Sequence, residues 1–233
     1  MDRNKSLAER VLFEDNHLII INKLPSEIVQ GDKTGDLPLS EAVKAYLGHK
    51  YNKPGKVFLG VTHRIDRPVS GAVIFARTSK SLTRLNAMFK AGSIQKKYLA
   101  VVRNAPPAES GHLVHYLKKN EKQNKSYPQK EGTRDAKRAE MKYQVIARSD
   151  KYFLTEVELL TGRHHQIRTQ LSAAGCPIKG DVKYGFDRPN KDGSIHLHAH
   201  SIELIHPVSK TKLKIMAPLP ADDVLWLHFQ KMI

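Results

Sequence analysis

One cysteine, one tryptophan and no long apolar run set the first limits on this 233-residue chain. A lone Cys176 excludes an intramolecular disulfide and a Cys-based zinc site. No stretch approaches the roughly 18 to 20 apolar residues that a membrane span needs. The N-terminal segment MDRNKSLAER lacks an apolar core, so it does not read as a secretory signal. Acidic residues are few: 23 Asp and Glu face 39 Lys and Arg, a formal net charge of +16. An excess of that size predicts a polyanionic partner, either nucleic acid or an anionic membrane surface. The hydrophobic share of 40% argues for a folded chain over a disordered basic tail. These limits together point to a soluble, cytoplasmic nucleic-acid protein with no membrane partner.

What is present divides into short strands and fewer helices. Residues 11–21 alternate polar and apolar around Asp15-Asn16, which reads as a hairpin. Residues 38–48 carry Leu39, Ala42, Val43, Tyr46 and Leu47 at helical spacing, with Gly48 as a stop. A second helix is predicted over 79–92, with Leu82, Leu85, Met88 and Phe89 on its apolar face. Residues 94–102, 141–147, 153–160, 195–205 and 213–216 are strand-like, and 162–174 reads as a helix closed by Gly175. Strands outnumber helices and no regular βαβ alternation appears. The expectation is α+β: a mostly antiparallel mixed sheet with flanking helices, in a single domain over 1–233. Residues 118–142 hold nine basic and four acidic residues. They read either as a solvated loop or as a mobile basic loop or hairpin insertion, spanning 118–140, that grips phosphates.

The most informative stretch is His63-Arg64-Ile65-Asp66-Arg67-Pro68-Val69-Ser70-Gly71. Apolar runs at 57–61 and 72–76 flank it and read as buried strands, so the polar segment is the loop between them. Asp66, among two arginines and a histidine, stays ionised, because nearby positive charge favours the charged form. It suits a nucleophile or base acting on an anionic substrate, or else a structural Asp–Arg pair. The segment closely resembles the HRLDRxTSG motif of the RluA-type family of pseudouridine synthases. Further stretches fit that family in order: Ile21-Asn22-Lys23, then QKKYLAVV (95–102), TGRHHQIRTQLSAAGCPIKGDVKYG (161–185) and HLHAHSIELIHP (196–207).

The resemblance implies the pseudouridine synthase catalytic fold and an RNA uridine isomerase. Such an enzyme detaches uracil, rotates it and rejoins it through carbon 5, a redox-neutral course that demands neither metal nor coenzyme. It implies Asp66 as the catalytic aspartate, Tyr98 as the ring that packs on the target base, and Arg168 as the arginine that pairs with the aspartate. Arg64 matches the residue that occupies the space left when the base is flipped from its stack, a step costing a few kcal/mol. Lys23, Arg67, Lys96, Lys97, Arg163, His165 and Gln166 are assigned to substrate binding. His165 reads equally as a hydrogen-bonded scaffold residue. Gly180, Asp181, Tyr184 and Gly185 match a loop that shapes the family's active-site wall.

Several positions depart from the pattern. Lys23-Leu24-Pro25-Ser26 replaces a lysine-proline-small-glycine segment, Val69 replaces Thr, and His164, Thr169 and Gln170 replace Thr, Val and His. They leave the catalytic set untouched and bear on substrate recognition. The catalytic pattern begins by about residue 11, so a preceding RNA-binding module is expected to be absent and a monomer is expected. The partner implied is transfer or ribosomal RNA. The alternative is a non-catalytic RNA-binding or ribosome-assembly protein that keeps the fold for its basic surface. A rival metal reading rests on His196, His198 and His200, which alternate and would share one face of a strand.

Overall fold

The computed structural model describes residues 5–233; the first four residues of the charged N-terminal segment lie outside them. In chain order the elements are β1 (Val11–Glu14), β2 (Leu18–Lys23), α1 (Leu39–Lys50), β3 (Gly60–Val61), β4 (Ser70–Ala76) and α2 (Ser79–Lys90). There follow β5 (Gln95–Val102), β6 (Ser110–Asn120), β7 (Lys125–Gln129), β8 (Lys137–Arg148) and β9 (Phe153–Leu159). The chain ends with α3 (Gln166–Ala173), β10 (Leu197–Ile205), β11 (Lys212–Met216) and α4 (Val224–Gln230). The composition is α+β, and the ladders β1–β2, β2–β4, β5–β9, β6–β7, β6–β8 and β8–β9 are antiparallel.

The chain divides into two compact units. One comprises the residues up to Ile94 with Ala199–Val224, and the other Gln95–His198 with Leu225–Ile233. In the first, β1, β2, β4 and β10 lie in that order, with β3 on β4 and β11 on β10. Leu18 to Ile21 and Ala72 to Ala76 are all fully buried, so two adjacent strands form the middle of the core. Continuous apolar runs of this kind are what strands covered on both faces require. Leu85 of α2 closes one side of that core. Helix α2 starts at a reciprocal cap: Thr78 accepts from the Ser81 backbone and Ser81 returns the bond.

Gly71 shows why the Asp66 segment ends as it does. Its φ is +113°, and a Cβ there would stand 2.4 Å from the Ala199 carbonyl oxygen on β10. Only a residue without a side chain lets β4 approach so closely in that conformation. Gly71→Ala is therefore expected to destabilise the protein by about 2 kcal/mol or more, through strain and overpacking together. Urea denaturation of the purified variant checks this, and an unchanged midpoint would refute the close-approach argument.

In the second unit the order is β5, β9, β8, β6, β7, so β7 is an edge strand. Its Pro128 removes a backbone donor from that edge, a common way of blunting one. Of the two readings of residues 118–142, a loop or a hairpin, the hairpin is the one found: they comprise the end of β6, the strand β7 and the start of β8, with the connecting turns. The turn between β6 and β7 shows how it forms. Asn120 Oδ1 accepts from the Gln123 backbone and Asn124 takes a left-handed φ of 45°, so the chain reverses sharply and its polar residues pair as a ladder.

Three elements differ from expectation. Helix α1 runs past Gly48 to Lys50, since one glycine in a helix costs only about 1 kcal/mol. The run at 57–61 pairs only over Gly60–Val61, and Phe58 is half exposed. Beyond Val61, side chains replace the ladder: Thr62 Oγ1 donates to the Ile74 carbonyl, and Ile74 N donates to His63 Nε2 at 3.0 Å. Helix α3 begins at Gln166 rather than 162, because His165 sits in the left-handed region at φ 52° and ψ 28°.

Candidate active site

Asp66 opens a tight turn in the first unit. Its carbonyl accepts from Val69 N at 3.0 Å across Arg67 and Pro68. The Asp66 side chain is half-buried, Ile65 beside it is buried and Arg64 is exposed. The buried isoleucine seats the turn while its polar neighbours face outward. Arg67 leans away from the turn to the 32–36 loop, where its Nη2 donates to Thr34 Oγ1 at 3.0 Å and to Asp36. That places Arg67 as a brace between two loops.

Lys23 fastens the same turn from below. It is fully buried at the end of β2, and its Nζ donates to the Leu24 carbonyl at 2.9 Å and the Arg67 carbonyl at 3.1 Å. Ser26 N donates to the same Arg67 carbonyl at 2.9 Å. The sequence assigned Lys23 to substrate binding; its ammonium lies fully buried on the protein's own backbone, under the turn that carries Asp66. Burial pushes its ammonium down to about 7, against the opposing pull of Glu27 and then Asp66.

That shift has a measurable sign. Above about pH 7 the native state loses this proton, while the unfolded chain keeps it to about 10.4. The cost of burying the charge is thus fully present below pH 7 and is relieved as pH rises from there to about 10. Unfolding free energy is expected to climb relative to Lys23→Met over that window, by at most about 1.4 kcal/mol per pH unit. Parallel denaturation of both proteins from pH 6 to 10 checks it, and identical slopes would refute it.

Tyr98 and Arg168 lie in the second unit. Tyr98 is buried on β5 opposite Val157 of β9. Lys96 and Tyr98 are two apart, so they share a face of the strand, while Lys97 points to the other. Burial pushes the Lys96 ammonium down, and its Nζ lies against Gly162. Lys97 binds Glu156 Oε1 at 2.6 Å on the opposite face. The two lysines therefore do not act as a pair.

The turn before α3 is held by its own side chains. Gln166 Oε1 accepts from Thr161 Oγ1 at 2.8 Å and from Arg163 N at 2.9 Å, and its Nε2 donates to the Glu140 carbonyl at 3.0 Å. Gln166, assigned to substrate binding by the sequence, is buried, and these bonds engage its polar atoms in the turn. Arg163 is exposed in the turn, and its Nε donates to the Arg138 carbonyl. His165 is buried, with Nδ1 2.9 Å from the Tyr184 hydroxyl.

Arg168 projects from the first turn of α3 and is 5% exposed. Its Nε and Nη2 donate to the two carboxylate oxygens of Asp181 at 2.7 and 2.9 Å, a two-pronged contact between buried groups. The Tyr184 ring lies 5.0 Å from the guanidinium carbon. Asp181 is the contact that sequence reasoning missed. The 180–185 loop was visible as a motif, but nothing in it marked a partner thirteen residues from Arg168.

The three alternating histidines have other work. His196 stacks on Trp226 and its Nδ1 lies 3.0 Å from Asn190 Nδ2, and His198 meets Trp226 edge-on. His200 Nδ1 lies 3.1 Å from the Ala217 carbonyl. Among the described residues no group of three or more His, Cys, Asp or Glu is placed to hold a metal ion. Cys176 is buried, and burial raises its thiol to about 11, so it is no nucleophile. Among the described residues no helix is long and apolar enough to cross a membrane.

A half-buried carboxylate on a tight turn, in a strongly basic α+β chain, fits an enzyme that acts on nucleic acid. The comparisons with known proteins carry this further. The model of the RNA pseudouridylate synthase family matches residues 17–173. The ribosomal large subunit pseudouridine synthase C of Vibrio cholerae is 33% identical over 221 residues, covering 92% of this chain and 67% of that protein. Its counterpart from Buchnera aphidicola subsp. Schizaphis graminum is 34% identical over 225 residues, covering 92% and 68%. The human RNA pseudouridylate synthase domain containing 4 shares the fold, with a TM-score of 0.80 at 23% identity, covering 97% of this chain and 94% of that one. The chain belongs to the RNA pseudouridylate synthase family, and is an isomerase converting uridine to pseudouridine in RNA.

Proposed function

We propose that this enzyme modifies uridine in ribosomal RNA of the large subunit, with Asp66 as the reactive carboxylate and Tyr98 and Arg168 as its partners in the chemistry. The observation that carries the reading is the Asp66 turn, half-buried at its carboxylate and fastened from below by Lys23 and Ser26. A group held in one place without being sealed off is what an attacking or proton-abstracting carboxylate needs. The names of the relatives, both large-subunit ribosomal enzymes, favour ribosomal over transfer RNA. Arg64, exposed beside the turn, supports the role of filling the vacated stack once the base is flipped. The hairpin of β6 and β7, with Lys119 and Lys122 exposed, supports phosphate contact by charge, as does the net +16. Cytoplasmic placement and action as a monomer belong to the same reading.

The test is pseudouridine mapping of total RNA from cells with and without the gene. Loss of one or a few pseudouridines in large-subunit ribosomal RNA is expected. Loss confined to transfer RNA would overturn the choice of substrate, and no loss in any RNA would overturn the reading itself.

A further inference from the structure

Arg168 is held from two sides inside the second unit, and neither holder has a role in the reaction as described so far. Asp181, 1% exposed, receives Nε and Nη2 of the guanidinium in a two-pronged contact. The ring of Tyr184, also buried, lies under the guanidinium at 5.0 Å. Both come from one short turn. Tyr184 N and Phe186 N donate to the Asp181 carbonyl, so carboxylate and ring are set by the same backbone. Ser172 Oγ on α3 donates to the Tyr184 carbonyl at 2.6 Å, which ties that turn to the helix carrying Arg168.

The cluster reaches one step further. The Tyr184 hydroxyl accepts from Ser126 N on β7 at 2.9 Å and meets His165 Nδ1 at 2.9 Å. Ser126 Oγ donates to the His164 carbonyl at 2.8 Å. The edge strand of the basic hairpin is thus bonded to the phenol that underlies the guanidinium.

We propose that Asp181 is a positioning residue for pseudouridine formation, acting through Arg168. Resting on the reading of Arg168 as the partner of Asp66, the inference adds what fixes that arginine. A guanidinium attached by one flexible stem swings about its side-chain torsions. Two parallel bonds along one edge fix its plane, and the ring beneath fixes its height. A buried arginine–carboxylate pair adds little stability by itself, because desolvating both charges consumes much of the attraction. The pair makes sense where it places a charge that the chemistry needs.

The experiment compares Asp181→Asn and Asp181→Glu with wild type on one ribosomal RNA substrate. It measures RNA affinity, single-turnover rate at saturating enzyme and thermal midpoint. Asp181→Asn removes the charge and one acceptor. Asp181→Glu keeps both but moves them by a methylene. Expected are rates at least about 100-fold down for Asn and 10-fold down for Glu, with RNA affinity within about threefold in both. Because the enzyme is saturating and the rate is normalised to folded protein, a purely structural role would leave it unchanged. Wild-type rate in Asp181→Glu would show that charge balance suffices and overturn the inference, as would a loss confined to affinity or to the folded fraction. If Asp181→Asn does not fold, Asp181→Glu decides alone. A wild-type protein inactive on every RNA overturns this inference together with the reading beneath it. An active wild type, an inactive Asp66→Asn and an unimpaired Asp181→Asn overturn this inference only.

Discussion

Asp66→Asn is expected to abolish pseudouridine formation, by about a thousandfold or more, while RNA affinity stays within about threefold. The substitution keeps the shape of the side chain and removes only its charge and basicity. The turn should survive it, because what holds the turn is backbone: Val69 N on the Asp66 carbonyl, and Ser26 N and Lys23 Nζ on the Arg67 carbonyl. Affinity should survive because lysines and arginines on phosphates supply most of it. A second readout follows from Lys23, whose ammonium the Asp66 charge helps to keep protonated. In the Asn variant that help is gone, so Lys23 should titrate lower than in wild type. Filter binding with single-turnover assays checks the first outcome. Near-normal turnover would remove Asp66 from the chemistry.

Arg168 is expected to show the second large effect, and on two axes. Arg168→Ala leaves Asp181 as a buried carboxylate with its two-pronged partner gone. Breaking a buried pair in this way costs about 3 to 5 kcal/mol, so a marked fall in stability should accompany the loss of rate. Arg168→Lys keeps the charge but cannot make two parallel bonds to Asp181, because an ammonium presents no planar fork. It should therefore fold, with a lower thermal midpoint, and still lose at least about 100-fold in single-turnover rate with RNA affinity little changed. Thermal melts together with the rate measurement separate the axes. A lysine variant at full speed would show that charge, and not a fixed plane, is what the site requires.

The family of this chain was more legible than its scaffolding. The Asp66 turn declared itself because charge, proline and glycine fell between two apolar runs, and the second of those runs is β4. The family match agrees with the resemblance that the motif carried. The burial of Lys23 was hidden for a physical reason: lysines are almost never fully buried unless paired, so a lysine near a motif reads as a surface contact. Its burial follows from β2 lying beside β4, a long-range pairing that no local pattern announces. The late start of α3 was hidden for a similar reason. Residues 162–165 have helical neighbours, but Gln166 folds back on Thr161 and Arg163 and holds them in a turn. The hairpin at β6 and β7 stayed one of two readings because its charge describes the exposed faces of strands as well as it describes a loop. The Arg168–Asp181 pair was invisible because it joins a helix to a turn through tertiary packing alone.

The most direct test of the central claim is complementation with mapping. Cells lacking the gene receive either the wild-type chain or Asp66→Asn, expressed to equal levels, and pseudouridine is mapped in their large-subunit ribosomal RNA. The account predicts that the wild type restores the missing modification and Asp66→Asn restores none. Restoration by Asp66→Asn to the wild-type level would contradict it.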